Sequence, residues 1–136
     1  MSCEPLKIYI AGPYSADTEH LRVRNVNIAI DAAFQLFSKG HYPYIPHLTH
    51  FIDLRANEIG HFLSWEDYIK WDLPWVGVCD ALLYLRPSRG ADLELQRALQ
   101  LGKPVFYSVD EVPDVVEIST ARETSRSLDS DKAVAP

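Results

Sequence analysis

The chain has 136 residues and a mass of 15.4 kDa, with 13 basic against 19 acidic side chains and a formal net charge of -6. That is the size of one domain, and a hydrophobic content of 47% suffices for one packed core, which excludes a collagen-like or wholly disordered chain. No run approaches the roughly 20 apolar residues that span a bilayer, and the acid excess argues against a broad nucleic-acid surface. A small phosphorylated ligand is not excluded, because one local pocket can oppose the global sign. Met1-Ser2-Cys3-Glu4-Pro5 lacks the basic and apolar regions of a signal peptide, and Cys3 and Cys79 make no disulfide framework. The expected setting is a reducing cytoplasm, with no membrane and no polymeric nucleic acid as partner.

Taken in chain order, Leu6-Lys7-Ile8-Tyr9-Ile10 is a short β-prone run ending at the Ala11-Gly12-Pro13 turn. Asp17 or Thr18 is placed to cap the next helix. Val23, Val26, Ile30, Ala33, Phe34 and Phe37 then recur at helical spacing, and Gly40 ends the helix. Tyr42-Pro43-Tyr44-Ile45-Pro46 is a second strand, placed near an edge by its prolines. His47 to His61 reads as a loop or short helix over the sheet. Ser64 caps a helix, with Asp67 in the capping-box position, and Trp65, Tyr68, Ile69, Asp72 and Val76 share one face. Pro74 is expected to kink or loosen that helix. Asp80 to Leu85 is a strand running into the Arg86-Pro87-Ser88-Arg89-Gly90 turn. Ala91 to Leu101 is a helix ended by Gly102, and Pro104 to Tyr107 is the next strand. The domain is expected to occupy residues 1–112, followed by a polar tail, 113–136, that is loose or ordered only against a partner subunit.

Alternating strands and helices predict a single-domain α/β sandwich of the Rossmann or flavodoxin-like kind, with a mostly parallel sheet flanked by helices. Ligands in such sheets sit beyond the C-terminal strand ends. That rule selects three loops: Gly12 to Asp17, His47 to Asp53, and Arg86 to Asp92.

Two acidic residues break the binary pattern. Asp72 stands on the apolar stripe of its helix, and Glu94 shares a face with Ala91, Leu95 and Ala98. A buried carboxylate without a partner is costly, so each is either a satisfied structural acid or a functional one. Glu94 lies early in a helix that follows a strand end, where the helix dipole and free N–H groups favour an ionised carboxylate. That makes it a candidate nucleophile, with a second carboxylate as acid or orienting acceptor.

Lys7-Ile8-Tyr9-Ile10-Ala11-Gly12-Pro13-Tyr14, Trp71-Asp72-Leu73, Asp80-Ala81-Leu82-Leu83, Ser88-x-Gly90-x-x-x-Glu94-x-x-x-Ala98 and Gly102-Lys103-Pro104-Val105 together resemble the nucleoside 2-deoxyribosyltransferase superfamily, including its 2'-deoxynucleoside 5'-monophosphate N-hydrolase branch. The resemblance covers roughly residues 6 to 110 and rests on the order and spacing of the motifs. It implies that Glu94 attacks the anomeric carbon, that Asp72 contacts the base or assists its departure, and that Tyr9 lies close to the sugar and the nucleophile. It makes the Gly12-Pro13-Tyr14 turn the first substrate loop. It also implies a nucleoside or nucleotide substrate, a homodimer or larger assembly whose neighbouring chain helps close the pocket, and no metal or organic cofactor.

Ser88 stands where the transferase branch often carries an acid and the hydrolase branch a phosphate-holding serine. A hydroxyl with free N–H groups at a helix start can cradle a phosphate, with Gly90 beside it and Arg89, Arg22 and Arg24 adding charge. Ser88 is equally suited to be an N-cap alone. Pro13 replaces another phosphate-contacting serine, Ser15 an arginine, and Leu95-Gln96 the usual Leu-Gly pair. Nucleoside or monophosphate substrate, and hydrolysis or base exchange, are therefore both open. His47, His50, Asp53 and His61 lack the matched halves of a zinc site. With Tyr14, Tyr44, Phe51 and Trp65 they line a nucleobase pocket or simply pack in the core. Asp92, two residues before Glu94, is expected to face solvent, and Trp71 and Trp75 to sit at a subunit interface. Two rival functions remain: a ribonucleoside 5'-monophosphate phosphoribohydrolase, which lacks its Gly-Gly-x-Gly-Thr run here, and a nucleotide-binding sensor without turnover.

Overall fold

A computed structural model describes residues 2–115. In chain order these form β1 (Ser2–Cys3), β2 (Lys7–Ala11), α1 (Glu19–Ser38), β3 (Tyr42–Tyr44), a 3-10 turn at Pro46–Leu48, α2 (Thr49–Ile59) and α3 (Trp65–Val78). They continue with β4 (Ala81–Tyr84), α4 (Arg89–Gln100), β5 (Val105–Phe106), a second 3-10 turn at Val109–Glu111 and β6 (Asp114–Val115). The main sheet has strand order β3-β2-β4-β5, and all its pairs are parallel. This is the flavodoxin-like sandwich that the alternation predicts, with β3 at an edge. The strand order reverses between β2 and β4, so the crevice of a doubly wound sheet falls beyond Ala11 and Tyr84. None of the described helices is long and apolar enough to cross a membrane.

Both faces of the sheet are covered, as a parallel sheet requires. Ile8 and Ile10 point to one face and pack with Ala29, Ala32, Ala33 and Leu36 of α1 and with Ala81 and Leu83. Tyr9 and Ala11, one residue out of step, point to the other face and pack with Val76, Cys79, Leu82, Ala91 and Ala98. That parity puts the Tyr9 hydroxyl under α3 and α4.

The buried stripe of α1 is not the predicted one. Val26 and Ala33 are buried, but Val23, Phe34 and Phe37 are exposed, while Ala29, Ala32 and Leu36 replace them against the sheet. The alanines let the helix lie close to the strands, which rotates the larger side chains outward. Thr18 rather than Asp17 caps α1, accepting from Leu21 N at 3.2 Å. The segment after His47 is an 11-residue helix. Helix α3 runs unbroken through Pro74, and its Ser64–Asp67 capping box forms as expected.

The fold also extends past the expected boundary at residue 112. Asp114 and Val115 of β6 pair with Ser2 and Cys3 of β1. Lys39 Nζ donates to Val112 O at 2.8 Å. Buried His41 bridges Leu6 N, at 3.1 Å from Nδ1, to Pro113 O, at 2.7 Å from Nε2. These bonds need backbone groups rather than an apolar pattern, so a polar sequence hides them. The rest of the tail, and its proposed ordering against a partner, lies outside the described residues.

Gly40 shows how tightly this junction is built. Its φ is +97°, and a Cβ there would lie 2.7 Å from the Val115 side chain. Gly60 has φ +71° but open space around it. Gly40→Ala should lower the unfolding free energy by about 2 kcal/mol or more through backbone strain and overpacking together. Gly60→Ala should cost only the backbone share, about 1 kcal/mol. Urea midpoints compare the two, and equal losses would contradict the packed junction.

Candidate active site

All three loops chosen by the strand-end rule meet at one cavity of about 550 Å³, within the range of small-molecule sites. Gly12, Tyr14, Ser15 and Ala16 come from the first loop, His47, Thr49 and Asp53 from the second, and Ser88 to Ala91 from the third. The face of α3 that carries Trp65, Tyr68, Ile69 and Asp72 forms the opposite wall. Glu94 opens into the same space from α4.

Helix α4 is set by its cap. Ser88 Oγ accepts from Ala91 N at 3.0 Å, so the N-cap role is real. With the helix starting at Arg89, Ala91, Glu94 and Ala98 fall on its buried face. A Cβ on Gly90 would lie 3.3 Å from Ile69 Cδ1, so the missing side chain lets α4 approach α3 closely.

Glu94 is only 5% exposed, and the Tyr9 hydroxyl donates to its Oε2. Burial pushes the Glu94 carboxyl up to about 8, against the lowering pull of the Tyr9 hydrogen bond, and the nearby charge of Asp72 adds to the rise. This corrects the expected control by the helix N-terminus. Glu94 lies in the second turn, and burial outweighs any dipole effect. Tyr9 is wholly buried, and its hydroxyl is pushed far up by burial and then by the Glu94 charge, so it stays protonated as a donor.

Asp72 is 8% exposed. Desolvation raises it to about 7, and its Oδ1 has no hydrogen-bond partner among the described residues. His47 is equally shut in, and burial lowers its basicity. Its Nε2 donates to Gly12 O at 3.0 Å, while Nδ1 is unpartnered. Two side chains that line the cavity thus each hold a buried polar atom without a partner among the described residues, an arrangement native interiors rarely tolerate.

Among the predicted site residues, Gly12, Tyr14, His47, Asp72, Ser88, Gly90 and Glu94 line the cavity. Tyr9 lies behind Glu94 and reaches the site through it. Pro13 is not among the cavity's lining residues; it borders a separate small crevice with Asn25 and Ile28. Tyr44 stacks between Tyr9 and Trp75, at 5.5 and 5.4 Å between ring centres, and is not a lining residue of the cavity. Phe51 is exposed. Arg22 and Arg89 do line the cavity, but Arg22 already donates to Ala16 O and Glu19, and Arg89 lies over the Trp65 ring. Asp92 is exposed and accepts from Tyr84. His47 and His50 turn to different partners, and among the described residues no group of three His, Cys, Asp or Glu could hold a metal. Tyr68 and Ile69 were legible only as helix-face residues. Their position on the Asp72 stripe was the available signal.

The family model described as "Domain of unknown function (DUF7768)" matches residues 6–108. The chain belongs to this family. The matched span holds every strand of the main sheet and every cavity residue of this DUF7768 member, and leaves out the β1–β6 pair. No curated protein matches the chain.

Two buried carboxyls with raised values make stability depend on pH. Each binds its proton more tightly when folded, so its contribution is complete below the unfolded value and is lost as pH rises through the folded one. For Glu94 the window runs from 4.5 to about 8, and for Asp72 from 3.8 to about 7. Glu94→Gln, a neutral isostere, should therefore raise the melting temperature at about pH 8 by about 4 °C or more. At about pH 5 it should change little. Thermal melts at the two conditions check this, and an equal shift at both would refute the buried-acid account.

Proposed function

We propose that the protein cleaves the N-glycosidic bond of 2'-deoxynucleosides or their 5'-monophosphates. The observation that carries this reading is a pair of buried carboxyls, from α3 and α4, facing one nucleoside-sized cavity. One is held by a tyrosine, and the other has a bare oxygen. The motif order that resembles the deoxyribosyltransferase superfamily supports it independently.

Glu94 is the nucleophile. As the bond from C1' to the base nitrogen lengthens, the sugar gains positive charge, and the Glu94 carboxylate is the fixed counter-charge. A Glu94 oxygen then bonds to C1' while the bonding pair leaves with the base. Protonated Asp72 gives its proton to the departing nitrogen, so the base leaves neutral and Asp72 becomes a carboxylate. Its raised value keeps that proton available near neutrality. Water next attacks C1' and passes a proton to Asp72, which regenerates both carboxyls and retains configuration. A second nucleobase in place of water gives exchange. Tyr9 is a supporting donor that moderates the cost of ionising Glu94 in a dry site.

The test is base release from a panel of deoxynucleosides and deoxynucleotides, with and without acceptor base. The native protein should release base, and brief exposure should leave one deoxyribosyl group on Glu94, visible in the intact mass. Glu94→Ala should abolish both, and undiminished release would end the assignment. Asp72→Asn should lower kcat by about a hundredfold to ten-thousandfold.

The active form holds Glu94 ionised and Asp72 protonated. The profile of kcat/KM should be a narrow bell between about 7 and about 8, its two limbs belonging to the coupled pair. Tyr9→Phe removes the lowering hydrogen bond. The alkaline limb, which follows Glu94 as the group with the higher value, should move to higher pH, with a loss of about tenfold or more at neutrality. An unmoved limb would show that Tyr9 does not support the nucleophile.

A further inference from the structure

Three side chains from three elements meet behind the cavity wall, and only Tyr14 reaches it. Tyr14, from the loop after β2, lines the cavity, and its hydroxyl lies 2.8 Å from His50 Nδ1. Across the ring, His50 Nε2 lies 3.2 Å from Glu19 Oε2, in the first turn of α1. His50 itself is 5% exposed.

Donor and acceptor arithmetic fixes the direction of this chain. An ionised carboxylate only accepts, so Nε2 must carry the hydrogen that faces Glu19. With one ring hydrogen, and that on Nε2, Nδ1 offers its lone pair and accepts the Tyr14 hydrogen bond. A tyrosine hydroxyl has one proton, so the oxygen left at the cavity offers lone pairs alone. Among the described residues no other hydrogen bond uses that hydroxyl. Tyr68 donates to Asp53, and Arg22 to Ala16 O and Glu19. The Asn25 side chain holds the Tyr14 backbone oxygen at 3.1 Å, which fixes the loop. His47 shows the same division with a different anchor, its N–H on Gly12 O and its other ring nitrogen buried without a partner among the described residues.

We propose that Glu19 and His50 are positioning residues that make Tyr14 a hydrogen-bond acceptor in the cavity, so that the site takes a substrate presenting an O–H or N–H to it. Under the glycosidase reading, on which its kinetic part rests, that group is a sugar hydroxyl or a base N–H. Glu19 and His50 do not touch the substrate. They orient the residue that does.

Nitrogen-15 NMR of the full chain with labelled histidine reads the ring directly. Above about pH 8, clear of the ordinary histidine range, His50 should carry its hydrogen on Nε2 with Nδ1 bare. Tyr14→Phe should shift the Nδ1 resonance without moving that hydrogen. A hydrogen on Nδ1, or on both nitrogens, overturns the proposal whatever the protein does to nucleosides. In the base-release assay, Tyr14→Phe should raise KM about tenfold, the loss falling on KM rather than kcat. His50→Leu should do the same and add nothing to Tyr14→Phe, whereas His50→Gln, which keeps an acceptor, should recover most of the loss. Additive losses, or a failed recovery, overturn it. If the native protein releases no base at all, the glycosidase reading fails and the NMR result still decides the relay.

Discussion

The hydrogen bond from Tyr9 to Glu94 ties the centre of the sheet to the helix that carries this buried acid. It exists because β2 alternates. Ile8 and Ile10 feed the α1 side, and Tyr9 alone of the large residues on this strand crosses to the α3–α4 side. A one-residue slip in β2 would reverse every side chain and leave Glu94 buried without a donor. The rotation of α4 is equally constrained. The Ser88 cap starts the helix, Gly90 lets it close on Ile69, and Glu94 arrives over Tyr9. Site and core are therefore one packing problem, and a change in either moves the other.

Topology supplies the rest. Because strand order reverses between β2 and β4, the loops after these strands diverge and open a crevice between them. The helix that follows the third loop closes one side. Helix α3, which precedes β4, lays its Trp65–Asp72 face across the other. Asp72 thus reaches the cavity from an element remote from the first loop, and its charge still raises Glu94. Two acids that destabilise each other's ionised form can share one proton between them, which suits an acid and a nucleophile working on opposite sides of one bond.

Much of this was legible in the residues. The alternation of strands and helices gave the sandwich. The strand-end rule gave the three loops, and the broken apolar stripes gave Asp72 and Glu94. What was not legible depends on backbone groups or on depth. The β1–β6 pair and the His41 bridge use main-chain partners that no side-chain pattern announces. The buried face of α1 was misplaced because large residues were weighted over the alanines that set the close approach. Pro13, placed in the substrate loop by the resemblance, borders another crevice instead. The partnership of Glu19, His50 and Tyr14 joins residues from three elements, and no spacing rule reaches across such gaps.

The cavity is lined by groups that are expensive for a chain of this size. It holds two buried carboxyls with raised values, a bare Asp72 oxygen and a bare His47 nitrogen. Each would be cheaper as an apolar residue of similar volume. Selection for stability alone would remove them, since one or two kcal/mol is a large fraction of a small domain's margin. The costs share one remedy. A ligand that donates a hydrogen bond satisfies Tyr14, and one that develops positive charge makes the ionised Glu94 favourable where burial alone opposes it. A sugar about to lose its base meets both demands. Under the proposed glycosidase reading the cost of these buried groups is greatest before the reaction and least at its transition state, the energetic order a catalyst needs.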